Sequence, residues 1–107
     1  MGHLVSAGWQ IVAHRFRAAG HEVDIIASRG NLTAFVEVKT RHTRSAGAPA
    51  EAIGWRKRRA IERVAEVWRL RHGAAGQCYR FDVVGIVMAR GAAPLVEHIE
   101  DAWRIVR

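Results

Sequence analysis

The chain has 107 residues, half of them hydrophobic and a quarter charged, a balance typical of one globular domain spanning residues 1–107. No apolar run approaches the roughly 20 residues of a membrane-spanning helix, and the start lacks the pattern of a secretory signal. The single cysteine, Cys78, excludes an internal disulfide and a cysteine-pair metal site, so we expect a cytoplasmic protein with no membrane partner.

The charge balance is strongly positive. Seventeen Lys and Arg residues stand against ten Asp and Glu residues, which gives a net charge of +7. Ten of the seventeen cations lie between Lys39 and Arg71, with three glutamates among them. Such an excess is typical of proteins that bind a polyanion, most often nucleic acid, although a solvated helix face would show the same composition.

The first half of the chain predicts three consecutive β-strands. Trp9–His14 alternates between apolar and polar residues, and after a turn at 18–20 a second strand runs from about His21 to Ser28. Gly30–Asn31 is typical of a short hairpin loop, so the third strand runs from about Leu32 to Thr40. These three strands would form a meander.

The second half predicts a helix and two further strands. A basic loop of small residues, 41–47, precedes a helix from Pro49 to about His72. A nearly all-apolar strand, Tyr79–Met88, is expected in the centre of the sheet, followed by a short strand, Leu95–Ile99, and a helical turn that contains Trp103. The order β-β-β-α-β-β with a crossover helix predicts an α/β fold on a mixed central sheet.

Folding the hairpin brings acidic residues together. Asp24 then faces Glu37, and Glu22 faces Lys39, with opposed Cβ atoms about 4.5–5.5 Å apart. The alternate positions form an apolar face expected to be the core side: Val23, Ile25, Ala27, Ala34, Val36 and Val38. Opposed carboxylates repel each other unless a cation or a shared proton lies between them, so a divalent metal ion would resolve the conflict. The alternative is a solvated hairpin face with a minor surface ion pair.

Lysine is rare in this chain. Fifteen of the seventeen cations are arginines, and lysine occurs at positions 39 and 57. Because an ammonium is a compact point charge where a guanidinium is a planar fork, Lys39 beside the acidic residues suggests a specific role.

Several blocks of residues occur together in a fixed order. They are Glu22–Ala27, Phe35–Arg41, Glu51–Ile53 with Lys57, and Arg80–Val84. This set resembles the YraN family of bacterial proteins, which look like small restriction-endonuclease-like domains of the PD-(D/E)XK group and are related to archaeal Holliday-junction resolvases. The similarity extends from about Leu4 to Trp103.

The resemblance implies a metal site and a nuclease activity. In the family motif an Asp and a Glu hold Mg²⁺ or Mn²⁺ and a Lys supports the attacking water, which assigns these roles to Asp24, Glu37 and Lys39. The Val38 carbonyl would be a further metal ligand, and Glu22 matches an accessory acidic position. We expect the usual N-terminal helix to be missing here, which would uncover one side of the sheet and invite a homodimer.

The remaining cations are expected to bind phosphates, which position a nucleic acid without reading its sequence. They are Arg41 and Arg44 after the motif, and Arg56, Lys57, Arg59 and Arg63 on the helix. Trp55 is open between core packing and base stacking. Asp82 is expected to contact a neighbouring turn or the basic helix.

The leading hypothesis is a divalent-metal-dependent hydrolase of DNA phosphodiester bonds, with branched DNA as one structure-selective substrate and DNA favoured over RNA. One alternative is a nucleic-acid-binding module that keeps the nuclease fold without turnover. Another is a protein-interaction role in which the basic helix meets an acidic partner.

Overall fold

The computed structural model of the protein describes residues 2–42, 53–88 and 90–105. Two helices and five strands occur in the order α1 (Gly2–Ser6), β1 (Gln10–Ala18), β2 (His21–Arg29), β3 (Leu32–Arg41), α2 (Trp55–His72), β4 (Cys78–Val87) and β5 (Leu95–Trp103). The strands form one sheet in sequence order, with β3 and β4 parallel and the other neighbours antiparallel. The predicted mixed α/β sheet with a meander and a crossover helix is confirmed, and it is compatible with a restriction-endonuclease-like fold.

The β2–β3 hairpin has the predicted register. Ile25 pairs with Val36, and the ladder closes on Gly30–Asn31 as a two-residue loop. The loop glycine, Gly30, has a φ of 61°. This left-handed conformation costs glycine little free energy because glycine has no Cβ. The paired ladder ends at Ile25 and Val36, and the next residues on the two strands are Asp24 and Glu37.

Both faces of the sheet carry an apolar cluster, whereas the sequence predicted one core face for the β2–β3 hairpin. The cluster under α2 contains Val23, Ile26, Phe35, Ile61, Val64, Phe81, Val83 and Trp103. The cluster on the opposite face contains Leu4, Trp9, Ile25, Ala27, Ala34, Val36 and Val84, with Val38 packed at its edge. Four members of the predicted face are therefore buried opposite α2, but Val23 packs with the α2 cluster. The acidic face is also a core face, because Ile26 and Phe35 lie on it beneath the helix.

Helix α2 begins at Trp55, and its predicted earlier turns, 49–52, lie outside the described residues. Gly54 is the N-cap in an extended conformation rather than a residue inside the helix. Buried residues recur at helical spacing on the side that faces the sheet: Ala60, Ile61, Val64 and Ala65. The helix ends at His72 as predicted, where the Gly73 amide donates a hydrogen bond to the Arg69 carbonyl.

Strand β5 is longer than predicted, and the expected helical turn at Trp103 is wrong. The β4–β5 pairing shifts register between Phe81 and Val83, and Asp101 opposite this shift has a φ of 51°. The irregularity disturbs the alternation of polar and apolar residues that would otherwise indicate a continuing strand. It brings the Trp103 ring parallel to the Phe81 ring, with centroids 5.0 Å apart.

A short helix occupies the start of the chain, where the sequence predicted that the usual helix would be missing. α1 has five residues, and its Leu4 side chain is buried together with Trp9 against the sheet face opposite α2. This face is therefore covered at the Leu4–Trp9 end rather than left bare. In the described part of the chain, no helix has the length and apolar character needed to cross a membrane.

Candidate functional site

Two carboxylates meet where β2 and β3 run side by side. The Val38 amide donates a hydrogen bond to Asp24 Oδ2 at 2.8 Å, and the Asp24 amide donates one to Glu37 Oε1 at 3.3 Å. Each acidic side chain is thus held by the backbone of the neighbouring strand. Glu37 is buried, with 4% of its surface exposed, and Asp24 is half-buried. The two residues that the hairpin register predicted to face each other do lie together.

The pKa of Glu37 reflects this crowding. Burial is the main cause that raises it from 4.5 to about 7, and the hydrogen bond with the Asp24 carboxyl and its negative charge act in the same direction. The neighbouring Lys57 ammonium lowers the pKa of Glu37 and offsets part of this effect. The Glu37 carboxyl therefore keeps its proton to a higher pH than an ordinary glutamate.

Lys57 completes the group that we name the carboxylate patch, formed by Asp24, Glu37 and Lys57. Its Nζ lies 3.2 Å from Glu37 Oε2, and the side chain is about half exposed while that of Glu37 is buried. The sequence assigned Lys57 to phosphate binding and did not connect it to the acids. The available signal was its rarity, because Lys57 and Lys39 are the two lysines among seventeen cations.

Lys39 and Glu22, the other members of the predicted cluster, are placed differently. Lys39 lies on β3 two residues beyond Glu37, hence on the same face of the strand, and it is exposed. Glu22 pairs with Arg17 on the outer strand β1, with Nη1 and Oε2 3.5 Å apart, in place of the expected pair with Lys39. The acidic centre therefore consists of two carboxylates, with Glu22 at its periphery.

The donor set at the patch suits a hard divalent cation. Asp24 and Glu37 offer carboxylate oxygens, and Mg²⁺ takes one or two carboxylates while keeping several waters. Within the described ranges, no group of three or more His, Cys, Asp or Glu residues could hold a metal ion. The residues present thus fit a site that substrate phosphate and water complete, with the Val38 carbonyl as a further candidate ligand.

The predicted phosphate-binding residues form a stripe on α2. Arg56, Arg59 and Arg63 are exposed at spacings of three and four residues, so they follow one side of the helix over about 10 Å. Arg41 lies at the end of β3, partly buried, and Arg44 falls outside the described residues. The stripe and the patch meet in the first turns of α2, where Lys57 belongs to the acids and Arg56 to the basic stripe.

Asp82 has a structural role, but its partners are not the neighbouring turn or basic helix that the sequence predicted. Its carboxylate is fully buried and accepts two hydrogen bonds from Arg80 at 2.8 and 2.9 Å. His98 Nε2 lies 2.8 Å from the same carboxylate, and the Asp101 amide donates to it at 3.0 Å. These contacts join β4 to β5 rather than to the basic helix, and they satisfy a buried charge that would otherwise be costly.

A cavity of about 500 Å³ lies between α2 and β5. Its aromatic lining includes Phe35, Tyr79, Phe81 and Trp103, with Glu62, Glu66 and Arg69 among its polar lining residues. The Trp103 indole donates a hydrogen bond to Glu62 at 3.1 Å. Because no residue of the carboxylate patch lines this cavity, we treat it as separate from the candidate site.

Comparison with known families gives a clear assignment. Residues 1–86 match the profile of the Uncharacterised protein family UPF0102, and this range includes Asp24, Glu37, Lys39 and Lys57. The chain belongs to the UPF0102 family. This confirms the YraN resemblance drawn from the sequence blocks.

Individual UPF0102 relatives align over most of their length. A UPF0102 protein of Rhodococcus jostii is 42% identical over 101 residues, covering 94% of this chain and 86% of the relative. A second, from Nocardia farcinica, is 42% identical over 91% of this chain and 76% of its own length. A third, from Caldicellulosiruptor saccharolyticus, is 47% identical over 79% of this chain and 72% of its own.

Proposed function

We propose that this UPF0102 protein is a divalent-metal-dependent nuclease that hydrolyses phosphodiester bonds of DNA. The observation that carries the proposal is the carboxylate patch, in which Asp24 and the buried Glu37 meet beside Lys57 at the start of a basic helix. Its acids match the metal-binding pair of the PD-(D/E)XK motif that the sequence resembles. We also place the protein in the cytoplasm, because the one cysteine of the chain, Cys78, is unpaired, as suits a reducing compartment.

The acids would act as a ligand pair for Mg²⁺ or Mn²⁺. Asp24 and Glu37 would hold the cation, which when bound supplies an acidified water and positive charge next to the scissile phosphate. Burial of Glu37 and its repulsion from Asp24 favour neutralisation of the negative charge on the pair. A bound cation would neutralise that charge, as a proton does.

The two lysines would serve the phosphate and the attacking water. Lys39 is exposed on the face of β3 that carries Glu37, so its ammonium is available to orient water or to bind a phosphate oxygen. Lys57 is a second donor at 3.2 Å from Glu37, and its half-exposed side chain allows it to turn toward a bound phosphate. Both roles use point charges rather than the planar fork of arginine.

The arginine stripe would hold the rest of the substrate. Arg56, Arg59 and Arg63 are exposed on α2 next to the patch, and the chain carries a net charge of +7. Contacts of this kind bind the phosphate backbone of any sequence, so we infer a nonspecific or structure-selective substrate such as branched DNA. A homodimer, with β1 or β5 as the outermost strand at the interface, would present two such sites to a branched substrate.

A second candidate is a nucleic-acid-binding module without turnover. It is favoured by the Lys57–Glu37 ion pair, which neutralises the patch without a metal, and by the absence of a third acidic ligand among residues 2–42, 53–88 and 90–105. The basic stripe would then bind DNA while the carboxylates remain structural.

A metal-titrated cleavage assay separates the two functions. Supercoiled plasmid and a synthetic four-way junction are incubated with the protein and increasing Mg²⁺ or Mn²⁺. The nuclease proposal predicts nicking or strand cleavage that EDTA stops and that Asp24→Asn, Glu37→Gln and Lys39→Ala each lower by at least about 100-fold. Glu22→Gln is the matched control, because Glu22 pairs with Arg17 outside the patch.

The opposing result is also defined. Salt-sensitive DNA binding that is the same in wild type, in Lys39→Ala and in the presence of EDTA, without cleavage at any metal concentration, would favour the binding module.

A further inference from the structure

We propose that Trp55 is a stacking platform for an unpaired nucleobase, so that the protein favours nucleic acids with an unpaired nucleotide next to the bound backbone. The inference rests on the proposed function in taking nucleic acid as the ligand. It adds a residue that determines specificity and a structural feature that the substrate must have.

The exposure of Trp55 argues against a role in the core. Its side chain is 65% exposed, whereas Trp9 and Trp103 are 3% and 8% exposed. Tryptophan has a large apolar surface and is usually well buried, so an exposed indole at the start of a helix is available for a ligand. The sequence left Trp55 open between core packing and base stacking. Its exposure argues against core packing and leaves the ring available for a contact outside the core.

The surroundings of Trp55 indicate what that ligand would be. Trp55 lines an open cleft of about 190 Å³ together with His21, Arg56, Arg59, Ala60 and Arg63. The lining includes three guanidinium groups and no carboxylate. The Arg56 guanidinium lies 5.2 Å from the centre of the Trp55 ring, so a flat apolar surface and a positive charge occur side by side.

This combination fits a nucleotide better than an acidic peptide. Aromatic rings that stack on bases and cations that follow the backbone are the two parts of a single-strand binding surface. Stacking accepts any base, because every base has a π-face, and it requires that the base has left the duplex stack. The cleft and the carboxylate patch share strand β2, which contributes His21 to the cleft and Asp24 to the patch.

The test measures binding without cleavage. Three fluorescent duplexes of equal length are compared by anisotropy in EDTA: one fully paired, one with a single bulged nucleotide, and one with an abasic residue in that bulge. The abasic bulge keeps the bend and the phosphate but lacks the base. We expect wild type to bind the bulged base at least about fivefold more tightly than the abasic bulge.

Substitutions assign that preference to one side chain. Trp55→Ala should bind the base-containing and abasic bulges equally, and Trp55→Phe should keep part of the preference. Arg59→Gln should weaken binding to all three duplexes in similar proportion and lower the salt dependence. Leu70→Ala, at another strongly exposed apolar position of α2, is the control and should behave as wild type.

Two results would overturn the inference: wild type that does not distinguish the base from the abasic site, or Trp55→Ala that still does. Tighter binding to polyglutamate than to any duplex would point to an acidic protein partner and overturn it as well. Because the assay needs no metal, a preserved base preference without metal-dependent cleavage would reject the nuclease and retain the role of Trp55.

Discussion

The Lys57 ammonium lies 3.2 Å from the Glu37 carboxylate, although the two residues belong to different layers of the fold. Glu37 is on the central strand β3 and Lys57 on the crossover helix that follows it. The contact ties the first turn of α2 to the acids, and the arginine stripe begins in the same turn. Lys57 thereby joins the acidic centre to the helix that carries the basic stripe.

Removing the Lys57 charge should change the ionisation of Glu37. In Lys57→Met the pKa of Glu37 should rise further above about 7, because the ammonium that stabilises its charged form is lost. A carboxyl ¹³C NMR titration of Glu37 measures this directly. Arg56→Met, one residue earlier on the helix, is the control and should leave the pKa of Glu37 unchanged. A Glu37 pKa in Lys57→Met equal to or below that of wild type would contradict the role given to Lys57.

Glu37 should also make stability depend on pH. Its pKa is raised from 4.5 to about 7 in the folded protein, so the folded state keeps this proton to a higher pH than the unfolded state. The resulting stabilisation is complete below about pH 4.5 and is lost as the pH rises through about 7. Relative to wild type, Glu37→Gln should therefore gain on the order of 2–3 kcal/mol of unfolding free energy between pH 4.5 and pH 8.

Urea denaturation of both proteins at several pH values measures this difference. Glu97→Gln, at an exposed position of β5, is the control and should keep the wild-type pH dependence. If the free energies of unfolding of Glu37→Gln and wild type differ by the same amount at every pH from 4.5 to 8, Glu37 does not have the raised pKa described above.

Asp82 should matter for stability but not for the metal site. Asp82→Ala leaves Arg80 without its buried partner, so we expect a loss of about 3–5 kcal/mol in the free energy of unfolding. Asp101→Asn is the control, since its side chain pairs with Arg104 at the surface and asparagine tolerates a positive φ. Thermal and urea unfolding test the loss of stability. Loss of metal binding in Asp82→Ala at a temperature where it is still folded would instead place Asp82 in the site.

The acid pair was predictable from the sequence because a local rule governs it. A two-residue loop at Gly30–Asn31 fixes the register up to Ile25 and Val36, and Asp24 and Glu37 are the next residues on the two strands. The order of strands and the crossover helix followed from the same kind of local pattern.

Features that depend on packing between distant elements were not predictable in this way. The contact of Lys57 with Glu37 requires the position of α2 over the sheet, which helical periodicity does not give. The course of β5 depends on the positive φ of Asp101, which is uncommon for a residue other than glycine. The Asp101 amide donates a hydrogen bond to the buried Asp82 carboxylate in this conformation. The partner of Glu22 was missed because β1, which carries Arg17, extends beyond its predicted end at His14.

The most direct test of the central claim is an isothermal titration of MnCl₂ into the protein at pH 8, where the Glu37 carboxyl is largely deprotonated. We predict one ion bound per chain in wild type and in Glu22→Gln, weaker binding at pH 6 because protons compete for the pair, and no measurable binding in Asp24→Asn. Binding that survives in Asp24→Asn, or a wild-type protein that takes up no ion with or without DNA, would contradict the account.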